Sequence, residues 1–225
     1  MPLLLCDLDD TILDRAGTFV LWAETFVGMW ELQGDAHAWL VEHDQGGYRP
    51  RPEFFASVRD VFHLPTSVDD LLGAFYSDFP ALFSLEQEIR TALRRARGQG
   101  WRIAIVTNGS PSQETKILTA GLDRIVDAWC ISALEGYRKP DRRLLEIAAE
   151  RCNDSLEGAW FVGDSPEADI GAADAAGLCS IWLGRGRTWT RDDYWPTLEA
   201  DSFPEAMELL LADPSTRSGQ GIGSP

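Results

Sequence analysis

At 225 residues, with 44% hydrophobic and 25% charged residues, the chain has the composition of a folded globular protein. It is long enough for one large domain, or for a domain carrying a small insert. A formal net charge of −16 argues against a nucleic acid polymer as partner, and no apolar run approaches the ~20 residues that a membrane-spanning helix needs.

In chain order, Leu3-Leu4-Leu5-Cys6 is a continuous apolar run. Asp7 cuts it off too early for a secretory leader, and no basic segment precedes it, so a cytoplasmic protein is expected. From about residue 15 to 84 the pattern changes to helical spacing. Phe19, Trp22, Phe26 and Trp30 form one stripe, Phe54 or Phe55 with Val58 and Phe62 a second, and Val68, Leu71, Leu72, Phe75 and Phe79 a third. These stripes predict an all-helical insert with an aromatic core. Ser84-Leu85-Glu86-Gln87 opens a helix with Ile89, Leu93 and Ala96 on one face, ended by Gly98 and Gly100.

The apolar runs then resume as Ile103–Val106, Trp129–Ile131, Ala159–Val162 and Ser180–Leu183. Each is continuous rather than alternating, as in parallel strands covered on both faces. Ser110-Pro111-Ser112-Gln113 reads as a capping box with proline at the first helical position, and Ser165-Pro166 starts another helix that ends near Gly177. The alternation predicts an α/β fold with a parallel sheet. Residues 214–225, rich in Ser, Gly and Pro, predict a disordered tail. Cys6, Cys130 and Cys179 lie in strand-like runs and no CxxC pair occurs, so reduced, buried thiols are expected rather than disulfides or a zinc site.

In an open parallel sheet, ligands bind outside the carboxyl ends of the strands. Those ends carry Asp7-Leu8-Asp9-Asp10-Thr11, Thr107-Asn108-Gly109 and Gly163-Asp164-Ser165, with Arg138-Lys139-Pro140 a short loop beyond the third strand. Asp7 and Asp9 are two residues apart, so a continuing strand would turn both carboxylates to one side. Close carboxylates repel, and a hard cation relieves them. With Asp164 as a third oxygen donor and no His or Cys cluster, Mg²⁺ is the metal that fits. A carboxylate, a dication, a lysine and small donor residues together suit phosphoryl transfer, in which the carboxylate serves as nucleophile. The acidic field of the whole chain is screened beyond ~8 Å. Mg²⁺, Lys139 and the helix N-termini after Asn108 and Asp164 are expected to supply positive potential at short range.

These residues resemble the signature of the haloacid dehalogenase superfamily, over about residues 3–14 and 85–205. Asp7–Thr11 looks like its DxDx(T/V) first motif, Thr107-Asn108-Gly109 the second, Lys139-Pro140 the third, and Gly163-Asp164 through Asp169 the fourth. The resemblance implies a Rossmann-like, doubly wound core from residues 1–14 and 85–213, with residues 15–84 as a C1-type helical cap. It implies Asp7 as nucleophile and Asp9 as the acid that protonates the leaving oxygen and then activates water. Mg²⁺ would be held by Asp7, Asp9 through its backbone carbonyl, and Asp164. Thr107 and the Asn108 amide would bind the phosphoryl group, Lys139 would neutralise it, and Asp169 would orient Lys139 or a metal-bound water.

Asp10 departs from the glycine that many members carry, and it is read as a turn cap facing solvent. Dehalogenases of the superfamily lack the second aspartate of the first motif, so Asp9 favours a phosphatase acting on a small phosphate ester of the nucleotide, sugar phosphate or phosphoglycolate class. A phosphomutase, a receiver-like phospho-acceptor and a non-catalytic binding protein are the rival readings. Arg49 and Arg51, in the Gln45–Arg51 loop of the insert, are the candidates for a second anionic group of the substrate. His37, His43 and His63 are read as structural, and Arg185, Arg187 and Arg191 as a solvated loop.

Overall fold

The apolar runs form strands because each is buried on both faces and contributes no unpaired polar side chain. In the computed structural model, which describes residues 1–212, they are β1 (Leu3–Cys6), β2 (Arg102–Thr107), β3 (Ala128–Ile131), β4 (Trp160–Gly163) and β5 (Cys179–Leu183). A sixth, β6 (Leu198–Ala200), completes a sheet of order β3-β2-β1-β4-β5-β6 in which every pairing is parallel. β1 is therefore central: Leu5 pairs with Ala104 of β2 on one side and Phe161 of β4 on the other. The strand order reverses at this point, which is where a crevice opens beyond the strand ends. The expected tail at 214–225 lies outside the described residues.

The helices of this unit are α5 (Gln87–Gly98), α6 (Ser112–Thr119), α7 (Ser132–Glu135), α8 (Arg143–Arg151), α9 (Gly171–Ala176) and α10 (Phe203–Ala212). Right-handed crossovers put α5 and α6 on one face of the sheet and α8 and α9 on the other, because the chain reverses direction across the sheet after β3. On the α8 and α9 face, Leu3, Leu5, Ala104, Val106 and Phe161 pack with Leu144, Leu145, Ala148, Ala172 and Ala173. The result is a doubly wound, Rossmann-like α/β sheet.

The described chain divides into two compact units: Met1–Leu13 with the chain from Ser84 onward, and Asp14–Phe83. The second unit is all helical, with α1 (Arg15–Met29), α2 (Ala36–Asp44), α3 (Arg51–Phe62) and α4 (Val68–Asp78). Most of the aromatic set expected from the spacing forms its core: Phe19, Trp22, Phe26, Phe54, Phe55, Phe75 and Phe79 are buried, Trp30 and Phe62 are half-buried, and the Trp22 and Phe75 rings meet edge-on at 5.0 Å. Asp14 caps α1 by accepting from the Gly17 N–H at 2.8 Å.

Three elements differ from expectation. β6 and α2 carry too little apolar periodicity to read: β6 buries only Ala200, and α2 only Ala36, Leu40 and Asp44. The Ser110–Gln113 capping box does not form, because α6 starts at Ser112 without a side-chain cap and the Gln113 side chain turns inward. The four cysteines are free thiols, and burial pushes Cys130 and Cys152 up to about 11, which suits inert core residues. Among the described residues, no helix is long and apolar enough to cross a membrane.

Candidate active site

β1 stops at Cys6, and the backbone turns sharply after it. The Leu8 carbonyl accepts from the N–H groups of both Ile12 and Leu13, and Asp10 sits at φ 55°, a left-handed conformation that aspartate tolerates and glycine favours. Asp7 continues the β4 pairing by one hydrogen bond, to the Val162 carbonyl at 3.0 Å, which fixes it in the crevice.

Lys139 reaches Asp7 from the loop beyond β3. Its ammonium donates to Asp7 Oδ1 at 2.5 Å, to the Val106 carbonyl at 2.6 Å and to Asp169 Oδ1 at 2.7 Å, so all three hydrogens are used. The lysine is only 3% exposed. Burial works against its charge, but Asp169 and Asp7 outweigh that and hold the ammonium above its ordinary value. Asn108 fastens this loop to the end of β2: its side chain donates to the Lys139 carbonyl at 3.0 Å and accepts from the Lys139 N–H at 2.9 Å.

Asp169 is equally fixed. Its second oxygen accepts from the Ser165 N–H at 2.8 Å, and it lies in a π-type turn, Pro166–Ile170, a widened geometry frequent at functional sites. Only glycine fits beside it, since a Cβ on Gly163 would meet the Asp169 carboxylate carbon at 2.4 Å. The N–H groups opening that turn bond to Ser165 itself: Ala168 to its hydroxyl, Asp169 and Ile170 to its carbonyl.

One oxygen from each of Asp7, Asp164 and Asp169 lies within 4.8 Å of the others. Burial pushes Asp7 well above the ordinary carboxylate range; Lys139 opposes this, while Asp169 and Asp164 add to it. Burial likewise pushes Asp164 up to about 7, reinforced by Asp169 and Asp10 and opposed by Arg187 and Arg185. One buried lysine, with a half-exposed Arg187 3.6 Å from Asp164, leaves three carboxylates short of positive charge. An all-oxygen donor set of this kind fits a hard divalent cation.

The expected pairing of Asp7 with Asp9 is corrected by the structure. The Asp9 side chain is not part of the carboxylate cluster, because Lys116 of α6 contacts both of its oxygens at 2.7 Å and the Gln113 side-chain amide donates to Oδ2 at 3.0 Å. Asp169 is the third carboxylate instead. The same Gln113 nitrogen donates to the Thr107 hydroxyl at 2.8 Å. A hydroxyl that accepts keeps its own hydrogen for another partner.

Lys116, Gln113 and Arg187 are the site residues that the sequence reading missed. Arg187 is not simply solvated: it donates to the carbonyls of Gly184, Leu183 and Asp164, and its guanidinium lies over the Trp182 ring at 5.4 Å. The legible signal for the α6 pair was the spacing Gln113, Lys116, Ile117, Ala120, a helix face that is buried along its length.

Within the helical unit, Arg51 is 12% exposed and ion-paired to Asp44 at 2.6 Å, on which Arg15 converges. Arg49, half-buried, donates to the Ser57 hydroxyl at 2.6 Å. Neither is a simple solvated surface arginine, and Arg51 has a structural partner that its sequence context did not reveal.

The family profile of haloacid dehalogenase-like hydrolases matches residues 1–177. The phosphoserine phosphatase of Thermus thermophilus is 28% identical over 252 aligned residues, covering 95% of this chain and 99% of that protein. The pyrimidine 5'-nucleotidase YjjG of Escherichia coli is 32% identical over 52% of this chain and 53% of its own. The HAD-hydrolase YfnB of Bacillus subtilis, solved with magnesium bound, shares the fold at a TM-score of 0.78 and 23% identity, covering 93% of this chain and 98% of that one. The profile spans most of the sheet and all four strand-end motifs, and the chain belongs to the haloacid dehalogenase-like hydrolases.

Proposed function

We propose that the protein is a Mg²⁺-dependent phosphatase that hydrolyses a small phosphorylated metabolite through a phosphorylated Asp7. The observation that carries this reading is the set of contacts around Asp7: an aspartate ending the central strand, gripped by a buried lysine and clustered with Asp164 and Asp169, with Asp9 two residues further on. Relatives named for phosphoserine and for pyrimidine 5'-nucleotides support a small monoester as substrate.

In this mechanism an Asp7 carboxylate oxygen attacks phosphorus, the bond to the leaving oxygen breaks, and Asp9 donates a proton to that oxygen. Asp9, now ionised, takes a proton from water as the water attacks the aspartyl-phosphate. The bond between phosphorus and Asp7 breaks, and orthophosphate leaves. Thr107, whose hydroxyl hydrogen is available, binds a phosphoryl oxygen. At Asn108 that contact falls to the backbone N–H, since the side chain holds Lys139. Lys139 aims the Asp7 carboxylate and opposes the effect of its burial, and its charge offsets the phosphoryl oxygens from close range. Asp7, Asp164 and the Asp9 backbone carbonyl would hold Mg²⁺, which supplies charge neutralisation at the phosphoryl group. Residues 15–84 act as the cap that selects the substrate, with Arg49 as its candidate contact.

Activity of purified protein on nucleoside monophosphates, sugar phosphates, phosphoserine and phosphoglycolate, with and without Mg²⁺, tests the reading. Asp7→Asn is expected to reduce kcat by more than about 10⁴-fold on every ester while the circular dichroism spectrum is unchanged. Full activity in that variant excludes the covalent route, and full activity in EDTA excludes the metal.

A further inference from the structure

A lysine and a glutamine on the buried face of a helix are costly unless both are hydrogen-bonded. Gln113 and Lys116, three residues apart on α6, are 4% and 5% exposed, and both meet Asp9 across more than 100 residues of sequence. Lys116 Nζ spans the two carboxylate oxygens at 2.7 Å each, which fixes the plane of the group. Gln113 uses both hydrogens of its amide nitrogen, one on Asp9 Oδ2 at 3.0 Å and one on Thr107 Oγ1 at 2.8 Å. It thereby sets the distance between the proposed acid–base and the hydroxyl proposed to bind phosphate. The carboxyl torsion of aspartate is otherwise broad.

We infer that Lys116 and Gln113 are positioning residues that hold the Asp9 carboxylate in register with the phosphoryl-binding Thr107. The inference rests on Asp9 being the acid–base of the proposed mechanism. Lys116 holds the Asp9 carboxyl in place, so removing it is expected to misplace that group for both proton transfers while leaving attack by Asp7 intact.

The test is a double-mutant cycle on kcat with Lys116→Met, Asp9→Asn and the pair, using the best ester from the substrate screen. Lys116→Met is expected to lower kcat about 10- to 100-fold with KM within about threefold, and to add less than about twofold loss in the Asp9→Asn background. Its loss in kcat/KM should be smaller for p-nitrophenyl phosphate, whose leaving group needs little protonation, than for an alkyl phosphate. Equal losses in both backgrounds, equal losses on both esters, or an unchanged kcat each overturn the inference while leaving Asp9 in its role. Wild-type kcat in Asp9→Asn overturns the role of Asp9, and the inference with it. Should Lys116→Met melt below the assay temperature, Lys116→Gln, which retains a donor without the charge, takes its place under the same criteria.

Discussion

The two units of the chain both bury ionic groups, and they do so with opposite imbalance. In the α/β unit the cluster of Asp7, Asp164 and Asp169 meets Lys139, bonded to the first and third, and a half-exposed Arg187 beside the second, an excess of negative charge. In the helical unit Asp44 faces Arg15 and Arg51, an excess of positive charge. The helical unit settles its excess internally. Arg15 lies over Phe19 at 5.2 Å, and Arg51 over Phe75 at 5.1 Å and Phe54 at 5.4 Å, so aromatic faces take the charge that the carboxylate does not. Burial draws Arg51 below its ordinary value, and Asp44 opposes this. At the strand ends of the α/β unit burial instead drives Asp7 and Asp164 up, reinforced by the neighbouring carboxylates. A buried charge closed by its neighbours is architecture; one left short of a partner is an invitation to a ligand.

The sharpest way to break this contrast is to remove the buried counter-charge at the centre of each cluster. Asp44→Leu is expected to cost about 3–5 kcal/mol in urea unfolding, because it strands two buried guanidiniums, and Mg²⁺ should not restore it. Lys139→Met should fall in the same range but regain stability in millimolar Mg²⁺, since it removes the ammonium bonded to both Asp7 and Asp169. Equal response of the two variants to the cation would erase the distinction.

A smaller effect is expected at Gly163, where a methyl group has no room against Asp169. Gly163→Ala should lose about 1–3 kcal/mol and most of its kcat, as the carboxylate is pushed off Lys139. Wild-type melting and turnover would show that Asp169 can move aside at no cost.

The pH dependence tests the negative excess directly. Asp164 is raised from 3.8 to about 7, so between those values the folded protein binds more protons than the unfolded chain. Its contribution is fully present below about pH 4 and is lost as pH rises through about 7, so metal-free protein should lose melting temperature across that window. A bound divalent cation should flatten the loss and release protons on binding near pH 6, measurable by calorimetry in buffers of different ionisation enthalpy. A melting temperature that rises over the window would reverse the sign of the argument. Least of all, Arg49→Ala should change stability by less than about 1 kcal/mol. Any larger effect on KM than on melting would support a substrate contact.

The sheet was legible because buried parallel strands are written as short uninterrupted apolar runs, and Leu3–Cys6 coincides with its strand residue for residue. The strand-end residues were legible because order along the chain fixes which loops meet at a switch point. Partner choice was not. Gln113 fits a capping box as well as it fits a buried amide, and only the fold decides that its side chain meets Asp9 rather than its own helix end. Arg51 likewise stands beside Pro50 and Pro52 in a polar loop sequence, and nothing local signals that Asp44, seven residues earlier, waits in the interior.

Lys139 has a consequence for how the molecule matures. Its three acceptors lie 132, 33 and 30 residues away in sequence, in segments that enter the sheet separately. The most distant, Asp7, joins only when β1 has been threaded between β2 and β4, across the whole helical insert. Contacts of such long separation form late, after the loops between them have closed. Enzymatic activity during refolding should therefore lag behind the recovery of helical signal, making catalysis itself the reporter of the last step of assembly.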